Sequence, residues 1–145
     1  IRKEPNPCSL CAKMRRGALN DAAKRLGCNK VALGHHREDA IETLMMSMIF
    51  EGRLHTFHPN MFLPGVDVTV IRPMVYVSEK HIIHVARKLE LPVVHNPCPM
   101  DGHSRRQEIK QMIASMCRTY PHLKDNMLAA LKNAEQYGLW DKKKI

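Results

Sequence analysis

Cys8 and Cys11 stand two residues apart in "NPCSLCAKMRRG", at what reads as the start of a helix, with Lys13, Arg15 and Arg16 just behind them. The unpaired N–H groups and positive dipole end of a helix N-terminus favour anionic thiolates, and the following cations reinforce that. Such a pair serves as a disulfide, a zinc half-site, a redox switch or an iron–sulfur anchor. Five cysteines is an odd number, and the opening "IRKEPNP" has no apolar export segment. Reduced thiols are therefore expected rather than a disulfide framework. A redox pair normally follows a strand, whereas "EPNP" precedes this one. A third cysteine, Cys98, lies in "NPCPMDG" between two prolines that stiffen its loop, while Cys28 and Cys117 read as small buried residues. Three thiolates suit a four-iron cluster with one iron left open; structural zinc asks for four ligands, which His95 or His103 would complete. Spacing by itself leaves both metals open.

The second constellation is "GHHRED", residues 34–39, which follows the short apolar run "KVAL". Ligands of open α/β sheets bind outside the carboxyl ends of the strands, so His36, Glu38 and Asp39 occupy a position where chemistry is expected. The loop after "LPVV" has the same kind of position, and the two loops and the first helix are expected to converge on one cleft. His35 is as well read as a local cap as a ligand. Arg105 and Arg106 open a helix where cations oppose the macrodipole, so a nearby anion is expected; a solvated face is the plainer reading. Met45, Met46 and Met48 read as core filler.

These groups need elements to hold them. A helix is predicted from Cys11 to Leu26, where Met14, Ala18, Leu19, Ala22, Ala23 and Leu26 recur at helical spacing before Gly27. A buried strand in "NKVALGHH" follows, then a second helix from Asp39 to about Phe50, with Ile41, Leu44, Met45, Met48 and Ile49 on one face. "VDVTVIRPM" is β-rich, and "SEKHIIHVARKLE" has a Ser cap and an acidic first turn. "LPVVHNPCP" reads as another short strand, and two helices, from about Ser104 to Arg118 and from Pro121 to Gln136, finish the chain. Alternating strands and helices predict an α/β fold, a Rossmann-like parallel sheet with a helical C-terminal tail. The length of 145 residues fits one domain, and no run approaches the roughly 18 apolar residues that span a bilayer. A soluble, cytoplasmic protein is expected, with no membrane partner. Lys and Arg total 23 against 14 Asp and Glu, a formal charge of +9, which points to nucleic acid or nucleotide phosphate. The terminal "DKKK" is a solvated tail that would touch RNA phosphate at most.

Taken in order, "CSLCAKMRRG", "ALGHHREDAIETLMMSMIFEGRLHTFHP", "VTVIRPMVYVSE" and "NPCPMDGHSRRQEIK" resemble the PP-loop ATP pyrophosphatase superfamily, and more closely its tRNA 2-thiocytidine synthetase branch. The resemblance covers nearly the whole chain. It implies an adenine nucleotide alpha hydrolase-like fold and ATP-dependent replacement of a tRNA cytidine oxygen by sulfur. It further implies a 4Fe-4S cluster on Cys8, Cys11 and Cys98, and ATP with Mg2+ near His36, Glu38, Asp39, Arg105 and Arg106. Asp39 becomes the implied catalytic acid or base, and Arg15 a catalytic cation near the substrate. The implied partners are tRNA and a sulfur donor such as a cysteine desulfurase, and the branch is compatible with a homodimer. Relatives carry a phosphate loop, Ser-Gly-Gly-x-Asp-Ser, but no two of the seven glycines here are adjacent. Residues 1–145 are accordingly expected to be the C-terminal portion of such an enzyme, incomplete in its sheet. The same residues also suit a zinc-bound, non-catalytic nucleic-acid module, or a PP-loop enzyme with another substrate.

Overall fold

The computed structural model describes residues 7–94, 97–98, 102 and 104–133. His95, His103 and the terminal "DKKK" lie outside these. Helix α1 (Pro7–Arg25) starts earlier than its apolar pattern, because Pro7 suits a first helical position, and so takes both Cys8 and Cys11 into its first turns. Gly27, at φ +69°, stops the helix in the left-handed region that glycine adopts without strain. Most of α1 faces outward: Met14 is 67% exposed, and only Ala23 of its predicted apolar positions is buried. Cys28, expected to be buried, is exposed just beyond the helix, where the chain turns toward the sheet.

Strand β1 (Lys30–Ala32) leads through residues 33–36 into α2 (Arg37–Glu51). A hairpin of β2 (Asn60–Leu63) and β3 (Val68–Ile71) follows, with β3 in the centre of the sheet. The expected parallel pairing joins β1 to β3, Val31 facing Val70. Strand β2 adds an antiparallel edge, Met61 facing Val70, so the sheet is mixed. Pro64-Gly65 was the local signal for this hairpin: its turn donates the Val66 and Asp67 N–H groups to the Leu63 carbonyl.

Helix α3 (Glu79–Lys88) is capped by Ser78, whose hydroxyl accepts the His81 N–H, yet none of its residues is buried. Residues 91–94 form no strand: Val93 and Val94 are 82% and 88% exposed, and among the described residues no strand pairs with them. Helix α4 (Arg105–Thr119), capped by Ser104, and α5 (Leu123–Lys132) close against α2. The main core joins Ile41 to Ile109 and Ile113, with Met45, Met46, Met116, Cys117 and Met127 packed around them. Met48 and Ile49 lie beyond its reach and are about half exposed, unlike the continuous apolar face predicted for α2. A smaller core of Ala23, Val31 and Val68 seats α1 on the sheet. No helix among the described residues is long and apolar enough to cross a membrane.

The far end of α2 is fastened by a buried serine. Ser47 Oγ donates to the Arg53 carbonyl at 2.6 Å and accepts the His55 N–H at 3.1 Å, while Gly52 at φ +62° turns the chain. Ile41 is 1% exposed. Ile41→Ala is expected to lower unfolding free energy by about 2–5 kcal/mol and Ser47→Ala by about 1–3 kcal/mol, read by urea denaturation with an unchanged m value.

Candidate functional site

The loop between β1 and α2 is held from both sides. Its backbone joins the sheet where Leu33 N–H donates to the Ile71 carbonyl at 2.9 Å, and Arg37 N–H donates to the Val77 carbonyl at 3.0 Å. At the start of α2, Asp39 accepts the His36 N–H on Oδ2 at 2.9 Å, the reach-back bond of a helix cap. An acidic first turn is favourable there. Glu38, Asp39 and Glu42 thereby become three carboxylates within little more than one turn.

Glu38 is the most constrained. Its Oε1 accepts Arg37 Nη2 at 2.9 Å and Lys124 Nζ at 3.4 Å, and its Oε2 accepts the Glu79 N–H at 2.8 Å. The side chain is 6% exposed, so one buried carboxylate ties α2 to the starts of α3 and α5. Burial pushes this carboxyl up, but His36, the Glu79 N–H and the Arg37 guanidinium outweigh it and hold it well below the ordinary glutamate range. His36 Nδ1 lies 3.6 Å from Glu38 Oε2, and that carboxylate, aided by Asp39, raises the imidazole's affinity for a proton against the opposing effect of burial. Arg37 also reaches Asp125 of α5 at 2.6 Å.

Helix α4 supplies the facing cations. Arg106 Nη1 lies 3.3 Å from Asp39 Oδ1 and 3.2 Å from Glu42 Oε2, and its Nη2 donates to Thr43 Oγ1 at 3.1 Å. Lys110, one turn on, donates to Glu79 at 2.6 Å. Burial pushes the Glu42 carboxyl up, with Arg106 and Lys110 offsetting only part of this. The anion expected beside Arg106 is therefore supplied by α2 itself. Arg105 points elsewhere, its guanidinium 4.8 Å over the Phe50 ring. Glu42, Lys110, Lys124 and Glu79 were missed by sequence reasoning; the i,i+4 spacing of Glu38 with Glu42 and of Arg106 with Lys110 was the available signal. Between them, lined by Glu38, Ile41, Glu42, Lys110, Ile113 and Lys124, lies a cavity of about 80 Å³. That is far below the roughly 300 Å³ of the smallest ordinary ligand pockets, so the space holds at most a few waters.

Of the three carboxylates, Asp39 is the one that solvent reaches, with its side chain 22% exposed against 6% for each glutamate. Arg15, on the exposed side of α1, is close enough for its charge to act on His35. Helix α1 packs against β1 and β3, the strands that lead toward this loop. The cysteines are less gathered: all are thiols, with Cys8, Cys11 and Cys98 exposed. Among the described residues no three ligating side chains assemble around a metal position. Cys8 and Cys11, one helical turn apart, suit a cluster or zinc as half a site, but the third donor is not brought to them.

Glu38 carries a pH dependence of definite sign. A carboxyl held below its ordinary value of 4.5 contributes stability that is fully present above that pH and is lost as pH falls below it. His36, raised above 6.5, contributes stability present below 6.5 and lost as pH rises through its folded value. Unfolding free energy is expected to peak between these limits. Glu38→Gln is expected to cost about 3–5 kcal/mol at neutral pH and to flatten the acid limb, measured by denaturation across pH.

The PP-loop domain model matches residues 9–117. A tRNA-cytidine(32) 2-sulfurtransferase of Citrifermentans bemidjiense is 41% identical over 145 residues, covering 97% of this chain and 57% of that protein. The protein of the same description from Geobacter sulfurreducens is 40% identical over 147 residues, again covering 97% and 57%. The chain thus spans little more than half the length of these relatives. Among solved structures, the U34-tRNA thiolase NcsA from Methanococcus maripaludis with its 4Fe-4S cluster superimposes with a TM-score of 0.71 at 25% identity, covering 94% of this chain and 47% of that one. The matched span takes in the sheet, the loop at residues 33–36 and the charge knot of α2 and α4, and by it this chain belongs to the PP-loop family.

Proposed function

We propose that this chain is the C-terminal portion of an ATP-dependent tRNA thiolase that places sulfur on a cytidine of the anticodon loop. What carries the reading is the 41% identity, across 97% of the chain, to a tRNA-cytidine(32) 2-sulfurtransferase. The formal charge of +9 supports it, since an RNA substrate needs a cationic surface. The C2 oxygen of cytosine is a poor leaving group, and adenylation by ATP with Mg2+ converts it into one that departs as AMP. The base must be unstacked to be reached, which an anticodon loop permits.

Cys8, Cys11 and Cys98 are the proposed holders of a 4Fe-4S cluster, which would supply the chemistry for presenting sulfur to the activated base. Sulfur would reach it from a donor such as a cysteine desulfurase. Asp39 is the proposed acid or base, being the carboxylate of the loop that solvent reaches, and Arg106, 3.3 Å from its Oδ1, orients it. Arg15 is the proposed cation that steadies negative charge developing on the substrate, and His36 fixes the turn from which Asp39 projects.

Protein reconstituted without oxygen is expected to bind about four irons per chain with matching acid-labile sulfide. Cys8→Ala, Cys11→Ala and Cys98→Ala should each lose the iron, while Cys28→Ala and Cys117→Ala keep it; stoichiometric zinc without sulfide would overturn the assignment in favour of a zinc module. In a polypeptide that also carries the phosphate loop, Asp39→Asn should leave iron content unchanged and lower tRNA thiolation about 100-fold or more, as loss of a general acid or base does. Loss of iron or of thermal stability in that variant would make Asp39 a cap alone.

A further inference from the structure

The formal charge of +9 must lie somewhere on the surface, and a good part of the cationic set is already engaged. Arg37, Arg53, Arg106, Lys110 and Lys124 each meet a carboxylate. On α1 the exposed Lys13, Arg15, Arg16, Lys24 and Arg25 are scattered around the whole circumference of the helix. Helix α3 is different. Its exposed Lys80, His81, His84, Arg87 and Lys88 stand at positions i, i+1, i+4, i+7 and i+8. At about 100° of turn per residue they fall within an arc of about 120°, a stripe that runs roughly 12 Å along the axis. The half-buried Ile82, Val85 and Ala86 occupy the opposite side. Glu79, the acid of this helix, lies off the arc and is bonded to Lys110 Nζ at 2.6 Å.

Helix stability does not account for the stripe. Arg87 and Lys88 suit the negative end of the macrodipole, but Lys80 stands in the first turn, where a cation opposes it. Packing does not account for it either, because the apolar residues are on the other side, and a segment laid over this one would have to desolvate three cations together. The start of α3 is also fixed: the Glu79 N–H donates to Glu38 Oε2 at 2.8 Å, and Ser78 Oγ accepts the His81 N–H. The stripe therefore has a set bearing on the loop at residues 33–36.

We infer that the face of α3 bearing Lys80, His81, His84, Arg87 and Lys88 is a docking surface for the phosphate backbone of an RNA stem, outside the crevice at the strand ends. A straight row of cations suits a regular row of phosphates, which a stem offers and a flexible loop does not. Such contacts hold and orient the RNA without reading its sequence. A lipid surface would instead need the apolar side of the helix, and that side is half-buried against the protein. The inference rests on the tRNA thiolase reading for the choice of RNA as the anion.

The test measures binding of an RNA stem-loop to the whole chain as salt is varied, with polyglutamate and phosphatidylcholine–phosphatidylserine vesicles as the other anions. Lys80→Gln, Arg87→Gln and Lys88→Gln together are expected to weaken RNA about tenfold or more at roughly 0.1 M salt. They should also flatten the slope of log affinity against log salt by about 2–3, since each lost phosphate contact removes about 0.7–0.9. A matched variant with Lys24→Gln, Arg25→Gln and Lys30→Gln removes the same charge elsewhere and should weaken RNA by about threefold or less. Equal losses in the two variants overturn the inference, because net charge alone then explains the binding, and so does a lack of RNA binding by the unsubstituted chain. A folded α3 variant that keeps its RNA affinity and slope also overturns it; if that variant loses polyglutamate or the vesicles instead, the face belongs to an acidic protein or a membrane. Should the triple variant fail to fold by circular dichroism, Lys80→Gln and Lys88→Gln are measured singly, and unchanged salt slopes in both overturn the inference. The same loss is expected in a polypeptide that also carries the phosphate loop, and RNA binding there that is indifferent to the α3 substitutions overturns it as well. Iron and thiolation do not enter these readouts: RNA held through α3 by a protein that thiolates none of it removes the thiolase reading alone.

Discussion

A single buried carboxylate governs how the helices of this domain meet. Glu38 receives the first N–H of α3, the guanidinium of its own neighbour and an amine from α5, and it does so with almost no access to water. Removing an ionised carboxylate from water is costly, and only a full set of charged donors makes that burial tolerable. The set comes from three elements, so their relative placement follows from the need to satisfy one side chain. The Ile41, Ile109 and Ile113 core supplies the bulk of the attraction between α2 and α4 but is indifferent to small rotations. Arg106 and Lys110, bonded to α2 and to Glu79, fix the angle that apolar packing leaves loose.

The two sides of the residue 33–36 loop then divide into different electrostatic kinds. Toward α4 and α5 the charges cancel, in a space too small for anything beyond a few waters. Toward the sheet end, Arg72 is buried with the His58 carbonyl and the Phe57 ring and, among the described residues, no carboxylate within ion-pair distance. Bonds from both the sheet and the residues just before α3 hold the loop rigid, since Leu33 N–H donates to the Ile71 carbonyl and Arg37 N–H to the Val77 carbonyl. Asp39 lies at the boundary, one oxygen in the cap and the other toward Arg106.

Much of this was legible in the residues. Helix positions followed from apolar spacing and from Ser78, Ser104 and Gly27, because caps act within a few residues. The β1–α2 loop was located by the apolar run before it. What local patterns could not carry was anything that depends on partners distant in the chain. "LPVV" has strand composition, yet a strand forms only where a neighbour offers its edge, and none does among the described residues. Met48 and Ile49 keep the helical rhythm but lie outside the Ile41, Ile109 and Ile113 core and are about half exposed. The roles of Lys110 and Lys124 arise from cross-helix geometry, as does the burial of Arg72, and no periodicity encodes these. The three cysteines were identifiable as candidate donors by type, but among the described residues no three ligating side chains come together, and no local pattern bears on that.

The order of the strands has a kinetic consequence. β2 and β3 are joined by a four-residue turn and close cheaply, while the pairing of β1 with β3 must enclose all of α2 and the hairpin itself. The hairpin is thus the natural nucleus, and the parallel ladder is the slow, non-local step. His35 and Arg72, one at the end of each parallel strand, have no shared surroundings until that ladder has formed. Their common packing against Phe57 is therefore among the last features to appear as the chain folds and among the first to be lost when β1 detaches.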